Sequence, residues 1–450
     1  MKKLILFVTV LFGAVTMSAQ ANDIQEEEVL VKVEKAGKYG FIDKSGKVVI
    51  PLIYYGAGDF VDGLARVGKN DKYGFIDKSG KVVIPFIYDG AGDFVNGLVK
   101  VEKDYKYGFI DKSGKVVVPC IYRDAGDFVD GLVKVNKDGK YGFIDKSGKV
   151  VVPCIYQDAD DFSDGLAKVV EDGGYSFFDK SGNKVLHPNM EGAVYSFKEG
   201  LARLRRYING KFMSGYIDKK GNVVVPCIYD SASDFNEGLA RVRKGGKCGF
   251  IDKSGRLVVQ FFICDLAMDF NEGLAKVYKG GKWGFIDKSG KAVAPCIYDV
   301  LEDFNEGLAR VFKYGEGCGY IDKSGKAVVP CIYGNADDFN EGLAKVYKGG
   351  KWGFIDKSGK VVIPFMYDDT GNFSEGLAVV NKDGRKGYID KSGNVVIPCI
   401  YGNAEKFNNG LAKVTKDNKW FLIDKSGKVV YEGEEIEVID TTDEVIEETY

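Results

Sequence analysis

The sequence predicts an all-β protein: a tandem array of about twelve 34-residue units, each a three-stranded antiparallel sheet, stacked as an open solenoid or superhelix rather than a closed propeller. Three observations carry that prediction. First, Asp-Lys-Ser-Gly recurs at Asp43, Asp77, Asp111, Asp145, Asp179, Asp252, Asp287, Asp322, Asp356, Asp390 and Asp424, with Asp218 heading the variant Asp-Lys-Lys-Gly. Second, consecutive aspartates lie 34 or 35 residues apart, with a single interval of 39. Third, every unit carries glycines and β-branched residues, such as the run Val116-Val117-Val118, that suit strands and not a pair of helices. A unit this short cannot bury its own faces, so neighbours must stack.

The elements follow in order within one unit. Leu132 to Lys137 reads as a strand, Asp138-Gly139 as a two-residue hairpin turn, and Lys140 to Asp145 as the second strand. Lys-Ser-Gly then forms a three-residue loop, in which Asp145 accepts local backbone hydrogen bonds and Gly148 takes the left-handed position. Lys149 to Val152 is the third strand, and Pro153, lacking an amide hydrogen, is expected to end it. Cys154 to Gly165 shows no period and reads as a packed connector whose Tyr156 and Phe162 plug the gap between sheets. On that basis Phe128→Ala should cost about 3 to 5 kcal/mol.

The first copy opens at Val29 to Lys35 with no connector before it, and the last stops near Tyr431, so eleven connectors join the units. Twelve sheets exceed the usual four to eight blades of propellers, which favours the open form. The long interval adds one residue near Asn183 and four in the hairpin bearing Arg205, Arg206, Tyr207 and Lys211. The expected organisation is therefore a signal peptide at 1–21, repeats one to five at 22–188, repeats six to twelve at 189–431, and an acidic tail at 432–450. Lys2 and Lys3, the apolar run Leu4 to Val15 and Ala19-Gln20-Ala21 form the export signal. That run is too short for a comfortable membrane span. The expected product is an exported monomer, periplasmic or extracellular at the cell surface.

Composition excludes other classes. Hydrophobic content of 45% is ample for a core, and a net charge of −2 argues against a generic nucleic-acid binder. The tail Glu432 to Tyr450 holds nine acidic side chains and no basic one.

The segments Gly281-Lys282-Trp283-Gly284-Phe285-Ile286-Asp287 and Gly350-Lys351-Trp352-Gly353-Phe354-Ile355-Asp356 resemble the WG, or KWG, repeat of bacterial proteins. The resemblance spans about residues 29 to 431. Tyrosine takes the Trp slot in the first five units (Tyr39, Tyr73, Tyr107, Tyr141, Tyr175), and Ser214, Cys248, Cys318 and Lys386 take it in others. Ser176 and Phe421 replace the repeat glycine. The resemblance implies an all-β fold and a loosely defined binding role, with no catalytic residue to carry over.

No catalytic constellation is legible, and no cofactor is implied. His187 is the sole histidine, at a strand end with no nucleophile motif near it. The acidic residues recur almost unchanged from unit to unit, whereas acid–base catalysis needs unequal partners. Of nine cysteines, Cys120, Cys154, Cys227, Cys296, Cys331 and Cys399 follow the repeat proline. Equivalent slots in stacked sheets should stand about 10 Å apart, beyond the ~7 Å reach of a disulfide, so no bridge is expected. Cys248, Cys264 and Cys318 read as tolerated core substitutions, and no CxxC spacing supports a metal. Lys44 and Lys47, with their equivalents, should line one edge, either as a solvated border or as a basic stripe for anions. Candidate binding residues are therefore Lys44, Lys47, Trp283, Trp352, Arg205, Arg206 and Tyr207, and the expected partner is a protein or a cell-envelope glycan. The competing expectation is an enzyme or enzyme accessory acting at the irregular unit, residues 187–213.

Overall fold

The computed structural model describes residues 29–171, 174–186 and 192–435. The proposed signal peptide, His187 and all but the first residues of the acidic tail lie outside these. The described residues form twelve antiparallel sheets in chain order, numbered 1 to 12 below.

The hairpin at the centre of each unit is as the alternation predicts. In sheet 4, Leu132–Lys137 pairs with Lys140–Asp145. Asp138 (φ 53°) and Gly139 (φ 82°) both take the left-handed conformation that a primed turn requires. The Asp145 loop also forms as expected. One carboxylate oxygen accepts from Ser147 N at 2.9 Å, Ser147 Oγ at 2.6 Å and Lys149 N at 3.0 Å, and Gly148 lies at φ 84°. Turn closure therefore accounts for the recurrent aspartate.

Two elements differ from expectation. Pro153 does not end the third strand, which runs Val150–Tyr156. The ladder shifts register between Phe143↔Val152 and Tyr141↔Tyr156, so the proline sits in a bulge where its missing amide costs no ladder bond. The connector, moreover, contributes a fourth strand. Asp124–Ala125 pairs with the first long strand of sheet 4, and the chain then doubles back through a tight turn at Asp130 (φ 53°) and Gly131 (φ 87°). Eleven sheets thus have four strands, and sheet 1, with no described connector before it, has three. In most sheets this strand has two residues, too few to leave a period in the sequence; in sheets 2, 6 and 9 it runs to six.

The irregular unit is partly as read. In sheet 6, Leu201–Ile208 and Lys211–Asp218 make a hairpin four residues longer than its neighbours, turning at Asn209 and Gly210. The residue added near Asn183 falls just after Leu186, because Asn183 N donates to Asp179 as Lys149 N does to Asp145 and Phe177 pairs with Leu186 as Phe143 does with Val152.

Stacking is aromatic. The Phe or Tyr of the second long strand meets the connector Phe of the next sheet edge-on, as in Phe109–Phe128 at 5.0 Å, Phe143–Phe162 at 5.0 Å and Phe250–Phe270 at 4.8 Å. Where tyrosine stands in place of phenylalanine, its hydroxyl donates across the seam: Tyr216 to Ser233 O at 2.6 Å and Tyr388 to Glu405 O at 2.7 Å.

The array closes on itself, contrary to the open superhelix expected. Val33 and Ile42 of sheet 1 share one buried cluster with Leu411 and Leu422 of sheet 12, and Val31–Lys35 touches Val429–Glu435. The result is a ring of twelve blades. Whether stacked wedges close or coil depends on a few degrees of rotation at each seam, and no residue pattern encodes that angle.

A disulfide, also not expected, joins Cys248 to Cys264 with Cα atoms 6.2 Å apart. The distance between stacked sheets is irrelevant to this pair. Cys248 occupies the Trp slot and Cys264 a Tyr slot displaced by one residue; the two slots face each other elsewhere, as in Trp283↔Tyr298, and here Cys264 comes two residues after Phe262, the strand partner of Cys248. The six cysteines after the proline slot and Cys318 are free thiols. Those six are half-buried and pack against the seams, as Cys154 does against the cluster of Phe109, Val118 and Tyr122, and burial pushes the Cys154 thiol up.

Candidate functional site

Of the two lysine columns of the expected stripe, the one headed by Lys44 is largely consumed by the fold, whereas the Lys47 column stays at the exposed turns. Lys44 and Lys47 are exposed on the Asp43 turn. Most equivalents of Lys44 cross a seam to an acid about fifty residues earlier: Lys112 to Asp62 at 3.0 Å, Lys288 to Glu237 at 3.2 Å, Lys391 to Glu341 at 2.9 Å and Lys425 to Glu375 at 3.0 Å. These acids sit at positive φ, and several also accept an amide of the next sheet, as Glu375 does from Gly410 N at 3.0 Å. The Lys391 ammonium holds the Glu341 carboxyl below its ordinary range. Asn96 stands in the acid slot opposite Lys146, which has no ion pair among the described residues. A row of charges already paired across seams offers little free positive field.

A second row of cations was missed in the sequence reading. The centre of every first long strand but one carries Lys or Arg, mostly half-buried, and the side chain points across the seam. Lys134 reaches Ala159 O at 3.1 Å and Asp161 at 3.4 Å, Arg203 reaches Asp234 at 2.9 Å, and Lys276 reaches Asp303 at 2.8 Å. The column reads Lys32, Arg66, Lys100, Lys134, Lys168, Arg203, Arg241, Lys276, Arg310, Lys345, Val379 and Lys413. Val379 is its one uncharged member. At the facing position, where the other seams offer mostly Asp, sheet 11 has Asn372 and sheet 12 has Lys406. A cleft of about 530 Å³ opens at this break, lined among others by Val379, Asn381, Asn340, Asn372, Lys345 and Lys406. Aligning the units by column would have exposed the exception.

The two tryptophans named from the repeat are half-buried parts of the sheets. Trp283 lies 4.9 Å from Tyr278 and Trp352 lies 5.3 Å from Tyr347, ring centre to ring centre. Lys345 Nζ stands 5.0 Å above the Trp352 ring, within cation–π range.

The long hairpin carries the remaining candidates. Tyr207 is 67% exposed and Phe212 55%, and their rings meet edge-on at 5.1 Å. The Arg205 guanidinium lies 4.3 Å from the centre of the Phe212 ring. Arg206 and Ile208 complete a surface concavity of about 460 Å³. The structure therefore gathers Arg205, Arg206 and Tyr207 into one patch and leaves Lys44, Lys47, Trp283 and Trp352 on other sheets. Among the described residues no helix is long and apolar enough to cross a membrane.

The chain belongs to the WG-containing repeat family, whose model matches ten stretches from 39–73 to 387–420. No curated protein matches it. Among solved structures it is similar to a eukaryotic initiation factor (10% identity, 74% of this chain and 94% of that one, TM-score 0.33). It is also similar to the computationally designed Ika8 protein (12% identity, 74% and 98%, TM-score 0.23). A third is PorZ, a surface component of the type-IX secretion system of Porphyromonas gingivalis (11% identity, 90% and 73%, TM-score 0.21). Likenesses this distant carry no functional argument.

Proposed function

We propose that this protein is an exported, non-catalytic binding ring that holds a partner protein of the cell envelope through the long hairpin of sheet 6. The observation that carries the reading is the exposed Tyr207–Phe212 pair with Arg205 stacked on it. The ring elsewhere repeats itself, while this hairpin extends beyond the common length and displays Tyr, Phe and Arg together. Those residue types dominate the energetics of protein interfaces. The positive region at Lys2 and Lys3 with the apolar run after it supports export.

The test places a photo-crosslinking residue at Tyr207 and, as a control, at Tyr105, which is 90% exposed on a regular turn. In cells, position 207 should yield one discrete adduct and position 105 none. In a Tyr207→Ala/Phe212→Ala variant, a probe at Arg205 should lose the adduct. Equal labelling from 105 and 207, or none from 207, overturns the reading.

A further inference from the structure

We infer that the cleft between sheets 10, 11 and 12 is a binding site for a carboxylate-bearing sugar, a uronic acid unit of a polysaccharide. The argument starts from the interrupted column. At seams such as those of Lys134 and Lys276, cation and acid neutralise each other. At the seam between sheets 11 and 12 that pairing is absent from both sides: Val379 replaces the cation, and Lys406 replaces the acid. Lys406 has no ion pair among the described residues, so a negative charge is missing from this seam. An anionic ligand supplies it.

The shorter Val379 side chain also leaves space. The cleft of about 530 Å³ falls within the range of small-ligand sites. Its lining is amide-rich, with Asn340, Asn372 and Asn381 beside Lys345 and Lys406. Lys345 is held in place by Asp337 at 3.2 Å and by Thr370 O at 3.0 Å. The acid in the lining, Asp369, accepts from Thr370 N at 2.8 Å and is turned to its own backbone.

Asn381 gives a second and independent observation. Its Oδ1 is buried without a hydrogen-bond partner. The corresponding Asn136 oxygen of sheet 4 accepts from Gly139 N at 3.1 Å. A buried acceptor left unpaired is costly, and a rotation of the Asn381 amide toward the cleft it lines would give that oxygen a sugar hydroxyl as donor. Amides that bind hydroxyls and a cation that binds a carboxylate together describe a uronate. An acidic peptide would need apolar anchors as well, and the cleft has few.

The experiment uses the mature chain and titrates trigalacturonate, its neutral counterpart trigalactose, and hexaglutamate by calorimetry at low salt. Trigalacturonate should bind saturably, at least tenfold tighter than either of the others. Val379→Lys/Lys406→Asp restores the repeat pattern of the other seams, so this variant should keep the wild-type melting temperature and lose trigalacturonate binding at least tenfold. Asn381→Leu should weaken binding about fivefold without loss of fold. The inference falls if wild type does not bind trigalacturonate, if trigalactose or hexaglutamate binds as well, or if the pattern-restoring variant binds like wild type.

Discussion

Gly142 lies directly under the bulge made by Pro153: a Cβ on Gly142 would stand 2.5 Å from Val152 O, 2.7 Å from Cys154 N and 2.7 Å from Pro153 C. This explains the glycine of the repeat. The strand that carries the proline crosses so close that no side chain fits. The exceptions obey the same rule. In the sequence the unit of Ser176 has His187 at the proline slot, and Phe421 pairs with Glu432, which stands at that slot in its own unit.

Gly142→Ala should therefore destabilise the protein by about 1 to 3 kcal/mol, the range for forced overpacking. Gly249 is the internal comparison. Its unit has Gln260 in the proline slot, and a Cβ would stand 3.1 Å from Val259 O. Gly249→Ala should shift the urea midpoint by less than half as much, and equal shifts would refute the explanation.

The Cys248–Cys264 bridge closes a segment of sequence separation 16. Chain-entropy arguments give about 3 kcal/mol for a loop of that size. Thiol labelling of the denatured, unreduced chain should count seven thiols, and nine after reduction. Cys248→Ser/Cys264→Ser should lower the melting temperature. Nine thiols before reduction would remove the bridge from the account.

Acid should unfold the ring over a defined window. The Ser147 hydroxyl and the turn amides hold the Asp145 carboxyl below its ordinary value, and the Ser254 hydroxyl, with Arg256, holds Asp252 at about 2. A carboxyl whose folded pKa is depressed contributes stability that is complete above its unfolded value near ~4 and is lost as the pH falls through the folded value. The melting temperature should change little from pH 7 to 5 through these groups and fall between about pH 4 and 2. A melting temperature unchanged at pH 2 would contradict it.

Closure rests on aliphatic contacts around Leu422, which takes the place of the Phe or Tyr that carries the aromatic contact at other seams. Leu422→Asp places a charge in that cluster and should open the ring at this seam while the other sheets keep their own contacts. Small-angle scattering should show a larger radius of gyration with an unchanged circular-dichroism spectrum. An unchanged radius would show that closure does not depend on this cluster.

The sequence by itself determined the all-β class, the period, the central hairpins and the Asp-Lys-Ser-Gly turns, because each depends on contacts between residues fewer than about fifteen apart. It also marked the long hairpin of sheet 6 as exceptional. Tertiary structure alone decided what depends on neighbouring sheets: the two-residue strand cut from the connector, ring closure, the pairing of lysines such as Lys391 with acids such as Glu341, and the cleft at Val379. The Cys248–Cys264 bridge falls between the two, since both residues were visible and only the path of the chain beyond Phe262, the strand partner of Cys248, brings Cys264 within reach. Contacts between layers join residues a whole unit apart, and their geometry is set by small rotations between sheets that leave no mark on any one stretch of chain.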